Sequence, residues 1–369
     1  MMEGGTGVSG RGLFACKKIN RIRWKPRPDT SVLEGNLFVT GSWDDEASNE
    51  VSLWMVVEGK GEPALRISSL AHSGDVNSME FLNSDTFVTG SSDGTLRMFR
   101  VLRSRASSEW DLSLLHSWNK MHSGVYRPSA SKSVSCSGDV FASAGEEGKV
   151  VVINARTMQS IKTYEKVDSC SLSAVHFVKH DEIVTANMRG QMKLWDLRSS
   201  EGSHPSSTFF SSNTEQVGIT CVSRHPTQSH VICTGSQDGM IAFWDFRKER
   251  YPVTILNAHK GAVSEIHFHH QSPDHIFSCS QNGDIFHWDA SAVTRANLIS
   301  FGNTNNNSNE IYKGVTSPWL SSEAIKHRVE TTSLMSKQYL PINSLDALGS
   351  SLLFGGDNEA IYIFSSVIL

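Results

Sequence analysis

The sequence predicts an all-β chain closed into a seven-bladed propeller. Three observations carry that expectation: a turn-anchored unit that recurs seven times, strand-like patterning throughout, and no stretch of 11 or more residues with a convincing 3.6-residue apolar period. Of the 369 residues, 38% are hydrophobic and 20% charged, which excludes a compositionally disordered chain. The net charge of −4 provides no general attraction to phosphate backbones, so direct nucleic-acid binding is not expected. No apolar run approaches the roughly 18 residues needed for membrane insertion.

The unit is plainest in the second half. Thr185–Asp196, Cys233–Asp245 and Ser278–Asp289 each place a glycine (Gly190, Gly239, Gly283) five residues before a tryptophan that is followed by aspartate (Trp195, Trp244, Trp288). The same offset recovers weaker copies: Asn49 before Trp54, Gly94 before Phe99, Gly148 before Ile153 and Asn358 before Ile363. The intervals between the seven anchors are 45, 54, 42, 49, 44 and 75 residues. All but the last lie near the ~40–45-residue period of WD40 repeats, with modest loop additions. Asp93-Gly94, Asp238-Gly239 and Asn282-Gly283 mark tight hairpins, because both central turn positions require positive φ.

Taken in order, residues 1–12 read as a flexible, Gly-rich amino terminus lacking the apolar core of a signal peptide. The propeller is expected to span 13–369. Its last blade ends near Ser365, one strand short, and a closing strand from about 13–22 would complete it. The basic run Lys17–Arg27 fits such a strand, with Ile19, Ile22 and Trp24 inward and its charges outward. A patch for an acidic partner or for nuclear localisation is the other reading. The long final interval places an insertion at about 300–335, in blade seven, around the Asn-rich stretch Gly302–Asn309. It contains no further anchor, so no eighth blade is expected.

The polar residues of the unit suggest a structural network. In a WD blade, a His before the blade, a Ser or Thr on the second strand, an Asp in the turn and the strand Trp form a buried hydrogen-bonded chain. Blade two offers His72, Thr89 and Asp93, with Phe99 in the Trp position; blade six offers His259, Ser278, Asn282 and Trp288. Such a chain is favourable only when its members are satisfied.

Motifs that resemble chemistry dissolve on inspection. Gly90-Ser-Ser-Asp-Gly94 matches a nucleophile elbow, but the following residues continue as a strand rather than a helix. The equivalent position in Gly235–Gly239 is Gln237. His267, His269, His270, His275 and His287 are clustered in sequence, yet no Cys or carboxylate joins them at a metal-ligand spacing. The six cysteines form no C-x-x-C pair, which fits reduced thiols. The sequon at Asn306 matters only in a secreted protein. No catalytic residue, cofactor, metal or small-molecule substrate is expected.

Two features bear on partners. Trp195-Asp-Leu-Arg198 and Trp244-Asp-Phe-Arg247 carry an Arg two residues after the Trp-Asp pair. This Arg can make a rim charge contact. The box also resembles the adaptor-docking element of WD-repeat substrate receptors of cullin-4 ubiquitin ligases, which makes Arg198 and Arg247 the adaptor contacts of that alternative. Ile311, Tyr312, Trp319 and Leu320 are apolar residues in the insertion, where no core strand is expected. They are candidate partner contacts, with Trp319 packing back on its own blade as the other reading.

Beyond the generic repeat, the chain resembles the family of small WD-repeat nucleoporins of the Y-shaped outer-ring complex of the nuclear pore. The resemblance rests on Arg23-Trp24-Lys-Pro26, Thr40–Asp44 followed by Val51–Trp54, and Arg224–Val231 with Gln237–Met240. It continues through His287–Ser291, Ser317–Leu320 and Glu359–Tyr362. It implies a non-enzymatic scaffold at the nuclear envelope that binds other nucleoporins of the Y complex, especially a helical-solenoid subunit of the short arm. It also implies roles in pore assembly, nucleocytoplasmic transport and mitotic kinetochores.

Overall fold

The computed structural model describes residues 9–368 except 28–35, 45–48, 58, 60, 104–108, 124–128, 200–203, 213–215, 249, 295–316 and 322–328. Residues 1–8 and 369 also lie outside the description, and so do Ile311 and Tyr312. The described strands form seven four-stranded antiparallel sheets arranged as a closed propeller.

Blade one holds β2 (Ile19–Trp24), β3 (Leu37–Ser42), β4 (Glu50–Val56) and β5 (Ala64–Ala71). Blade two holds β6 (Val76–Phe81), β7 (Thr86–Ser91), β8 (Leu96–Arg103) and β9 (Trp110–Trp118). Blade three holds β10 (Ser131–Ser137), β11 (Val140–Gly145), β12 (Val150–Asn154) and β13 (Gln159–Tyr164). Blade four holds β14 (Leu172–Lys179), β15 (Glu182–Asn187), β16 (Gln191–Asp196) and β17 (Ser207–Phe210). Blade five holds β18 (Ile219–Arg224), β19 (Val231–Ser236), β20 (Met240–Asp245) and β21 (Thr254–Asn257). Blade six holds β22 (Val263–Phe268), β23 (His275–Ser280), β24 (Ile285–Asp289) and β25 (Glu330–Ser333). Blade seven combines β26 (Ile342–Leu348), β27 (Ser351–Gly356) and β28 (Ala360–Ser365) with β1 (Ser9–Phe14) from the other end of the chain.

Closure therefore comes earlier in the sequence than the expected 13–22. Strand β1 pairs with β28 from Ser9↔Ser365 to Phe14↔Ala360. Residues 19–24, assigned from sequence to the latch, instead begin blade one against β3. The reason lies in two glycines. A Cβ at Gly10 would sit 1.4 Å from Cε1 of Phe364, and one at Gly12 would sit 3.2 Å from the Tyr362 ring. The flat Gly10 and Gly12 positions let both aromatic side chains lie over the latch, which the bulky 19–24 segment would forbid. Arg11 adds hydrogen bonds to the carbonyls of Val57 (3.3 Å) and Gly61 (2.7 Å), fastening the latch to blade one.

Strand register also moves two other boundaries. The sequence anchors fall on the third strand of each sheet, so the last interval spans the outer strand of blade six. The insertion consequently lies between β24 and β25, in blade six rather than blade seven. In blade seven, Leu352 pairs with Phe364 as Ile276 pairs with Trp288. This makes Phe364 the true anchor, five residues after Glu359, which takes the left-handed conformation (φ 58°) that Gly94, Gly148, Gly190, Gly239 and Gly283 take elsewhere. A search tuned to Gly or Asn finds Asn358 and is one residue out.

Seven apolar clusters fill the seven seams. Phe38, Trp24 and Trp54 pack with Leu353 between blades seven and one, and Trp244 packs with Phe209 between blades four and five. Each fully buried large side chain contributes roughly 1.5–3 kcal/mol through transfer from water.

The innermost strands are joined by polar side chains. In every blade the pairing of the first and second strands skips one residue after its first pair, at Asn20, Asn77, Lys132, Ser173, Thr220, Ser264 and Asn343. Three of these bulged residues bond the first inner-strand carbonyl of the next blade: Asn20 to Val76 (2.8 Å), Thr220 to Val263 (2.6 Å) and Asn343 to Ile19 (3.0 Å). The unpaired edge of an inner strand would otherwise leave N–H groups without acceptors. Ser344 and Asp346 accept from the N–H groups of Ile22 and Trp24, and Ser133 and Ser135 from those of Val175 and Phe177.

Candidate interaction surfaces and the central channel

The expected hydrogen-bonded chains form in part. In blade two, His72 Nδ1 donates to the Gly74 carbonyl (3.0 Å), which leaves Nε2 to accept from Thr89 (3.0 Å). Asp93 does not join them. It accepts from Ser73 (2.6 Å) and from the Thr95 amide (2.9 Å) within its own turn. In blade six, Ser278 bonds His259 Nε2 (2.8 Å) and accepts from Trp288 Nε1 (2.9 Å), while Asn282 turns away to Asp284 (2.8 Å). Burial brings His72 and His259 down to about 4, so both remain neutral.

Sequence reasoning missed the fullest chain, in blade three. His122 bonds Glu147 through Nδ1 (2.7 Å) and Ser143 through Nε2 (2.8 Å), and Ser143 bonds Ser131 (2.9 Å). These atoms match a Ser-His-acid triad, but Ser143 is 0% exposed and occupies the position of Thr89 and Ser278 in the sister blades. The arrangement is therefore a strut. Its signal was available: Glu147 stands four residues after Ser143, as Asp93 does after Thr89. Its extra methylene reaches the imidazole, as Asp93 does not. Burial pushes the Glu147 carboxyl up, but the contacts with His122 and Ser129 and a backbone N–H together outweigh this and hold it below the usual range.

The insertion residues occupy different environments. Trp319, expected as a candidate partner contact, is 0% exposed and stacks on Phe243 of β20, with ring centroids 4.9 Å apart. Its Nε1 donates to the Pro273 carbonyl (2.9 Å). It is a clamp between blades five and six and cannot meet a partner. Leu320 closes the same 3-10 turn, Pro318–Leu320, and is half-buried. Arg198 and Arg247 lie at the rim, where each gives Nε and Nη2 to the aspartate of its own Trp-Asp pair, at 2.9–3.1 Å for Asp196 and 2.8–2.9 Å for Asp245. The arginines thus make the rim charge contact.

The inner strands surround a cavity of about 530 Å³. Two of the charges expected to point outward from the basic run are found here instead, because Arg21 and Arg23 face this channel. Arg23 forms a two-pronged ion pair with Glu265 across the ring, and its Nη1 also reaches Ser344 (3.0 Å). Glu265 further accepts from Ser344 (2.6 Å) and from the Leu345 amide (3.0 Å), so the network joins blades six, seven and one. Burial opposes ionisation of Glu265, yet Arg23 holds it well below the usual carboxylate range. Glu80, also in the channel, has no such ion pair among the described residues, and burial raises it to about 7. Among the described residues, no group of three or more His, Cys, Asp or Glu side chains has the geometry to hold a metal.

Comparison with known proteins follows the same outline. The family described as WD domain, G-beta repeat matches residues 65–100, 204–245 and 250–289. All three matches run from an outer strand to the third strand of the next blade, so the repeat unit is offset from the sheet. Human nucleoporin Nup43 is 35% identical over 95% of this chain and 97% of its own length, and mouse nucleoporin Nup43 is 36% identical over the same shares. A Dictyostelium discoideum nuclear pore complex protein nup43 is 26% identical over 46% of this chain and 40% of its own.

Proposed function

Because the chain belongs to the Nup43 family of WD-repeat nucleoporins, we propose that it is a non-enzymatic scaffold subunit of the outer-ring Y complex of the nuclear pore. In this reading it binds a helical-solenoid subunit of the short arm and supports pore assembly and nucleocytoplasmic transport. In mitosis it acts at kinetochores. The observation that carries the reading is the alignment itself, which runs end to end rather than through the repeats alone. A disc with seven packed seams and a stitched hub supports it, since such a body offers stable rims and loops for assembly.

The cullin-4 receptor alternative draws less support. It needs guanidinium groups at Arg198 and Arg247 for an adaptor, and both already hold their own aspartates. Affinity purification from interphase cells separates the two. Recovery of pore-ring proteins, undiminished in an Arg198→Ala/Arg247→Ala variant, is the expected result. Recovery dominated by cullin adaptors and lost in that variant would overturn it.

A further inference from the structure

Arg21 and Arg224, unlike Arg23, have no carboxylate partner among the described residues, but Arg224 makes a single 3.5 Å bond from Nη1 to the Val178 carbonyl and is not pinned as Arg21 is. Arg21 lies towards the end where the inner strands begin, one position past the bulge of β2. Its Nη1 donates to the carbonyls of Asn20 (2.8 Å) and Asn343 (3.3 Å), which pins the guanidinium plane. Among the described residues no carboxylate comes within ion-pair range of it, and no acceptor meets its Nε and Nη2 hydrogens. Arg23, two residues on, is saturated by Glu265. The vacant Nε–Nη2 edge of an arginine is a planar fork that fits two oxygens of an oxyanion.

The charge of the lumen favours the same ligand. Arg21, Arg23 and Arg224 line it with guanidinium groups. Of the facing carboxyls, Arg23 holds Glu265 well below the usual range, while burial raises Glu80 to about 7 and moves Asp346 upward. His176 adds no negative charge. Three arginines thus face three carboxyls, one of which, Glu80, is only partly ionised near neutrality, in a chain whose net charge is −4. A tetrahedral oxyanion needs only a few water volumes of about 30 Å³ each, which the cavity supplies.

We propose that the entry half of the channel binds a tetrahedral oxyanion, a sulfate or phosphate group, on the free edge of Arg21. The phosphate can be a free ion or the phosphorylated side chain of a partner, and the chemistry of capture is the same. Binding is linked to proton uptake. An anion in the lumen that Glu80 also lines, at the depth of Arg23, stabilises the neutral form of that carboxyl, within a ring that also presents Arg21, Arg23, Lys132, His176, Arg224, Glu265, His267, His270 and Asp346.

The test is calorimetric titration of the full chain with sulfate, which does not titrate between pH 6 and 8, at ionic strength held constant with chloride. Saturable binding, tighter at pH 6 than at pH 8, is expected. Arg21→Gln should weaken it at least about tenfold, and Arg224→Gln, at the far end, should change it less than about twofold. Arg21→Lys keeps the charge without the fork and should still weaken binding, which covers the case in which Arg21→Gln fails to fold. Parallel titrations with inorganic phosphate and a short phosphoserine peptide identify the source, the tighter of the two being the natural form. No saturable signal above the chloride control, or equal affinity in the wild type and Arg21→Lys, would overturn the site.

Discussion

Replacing Gly10 by alanine examines the latch at the atom that matters. The new Cβ would lie 1.4 Å from Cε1 and 2.1 Å from Cδ1 of Phe364, inside any allowed contact. Phe364 cannot simply swing away, because it is 7% exposed and its ring centroid lies 5.1 Å from that of Phe354 in the seam between blades six and seven. Overpacking of this kind costs about 1–3 kcal/mol. The loss of unfolded-state freedom on replacing glycine returns about 0.4–1 kcal/mol. Gly12→Ala is the internal control, since its Cβ would meet the Tyr362 ring at 3.2 Å, a contact relieved by a few tenths of an ångström. Urea denaturation should therefore show Gly10→Ala less stable than wild type by about 1–2 kcal/mol and Gly12→Ala much nearer to wild type. Hydrogen exchange should speed up first in β1 and β28. Equal stability of Gly10→Ala and wild type, or a larger loss for Gly12→Ala, would refute the steric account of closure.

Trp319→Ala should destabilise by about 3–5 kcal/mol in the same assay, with Trp319→Phe losing less because stacking on Phe243 survives. Glu265→Gln leaves Arg23 half-buried without a counter-charge and should lower the urea midpoint. A double change of Arg23 and Glu265 to apolar residues should recover part of that loss, and strict additivity would argue against the pair. Stability should fall as pH drops from about 6.5 towards 4. His72, His225 and His259 are held at about 4 when folded, so the unfolded chain binds more protons in that window. Denaturation midpoints at pH 7 and pH 5 measure this, and a higher midpoint at pH 5 would contradict it.

The propeller was legible in the sequence because blades two to seven repeat one local pattern, a turn residue of positive φ and then a buried residue five positions on, and blade one keeps the spacing with Asn49 before Trp54. Where that pattern is met by an unusual residue, legibility fails. Glu359 takes a glycine's conformation, and Phe364 takes the place of a tryptophan. The latch was misplaced because the sequence of 19–24 reads as a good strand, and nothing local says which neighbour it pairs with. Gly10 and Gly12 look like flexible-tail residues until the rings of Phe364 and Tyr362 are seen above them. Trp319 carried no periodic signal, since its environment comes from blade five, about 75 residues earlier in the chain. The channel charges were hidden for a related reason. Alternation shows which face of β2 is buried against a seam, but only ring closure turns the other face towards a lumen.

Pairing Ser9–Phe14 with Ala360–Ser365 also sets a timetable for synthesis. At about 5–20 residues per second, some 20–70 s pass between the emergence of the first strand and that of its partner. During that interval six finished sheets and an incomplete seventh form an arc with two bare flanks, each a template for pairing with another nascent chain. The ribosome-bound arc is then the form most in need of a chaperone, and swapping of first strands between two copies is the error it risks.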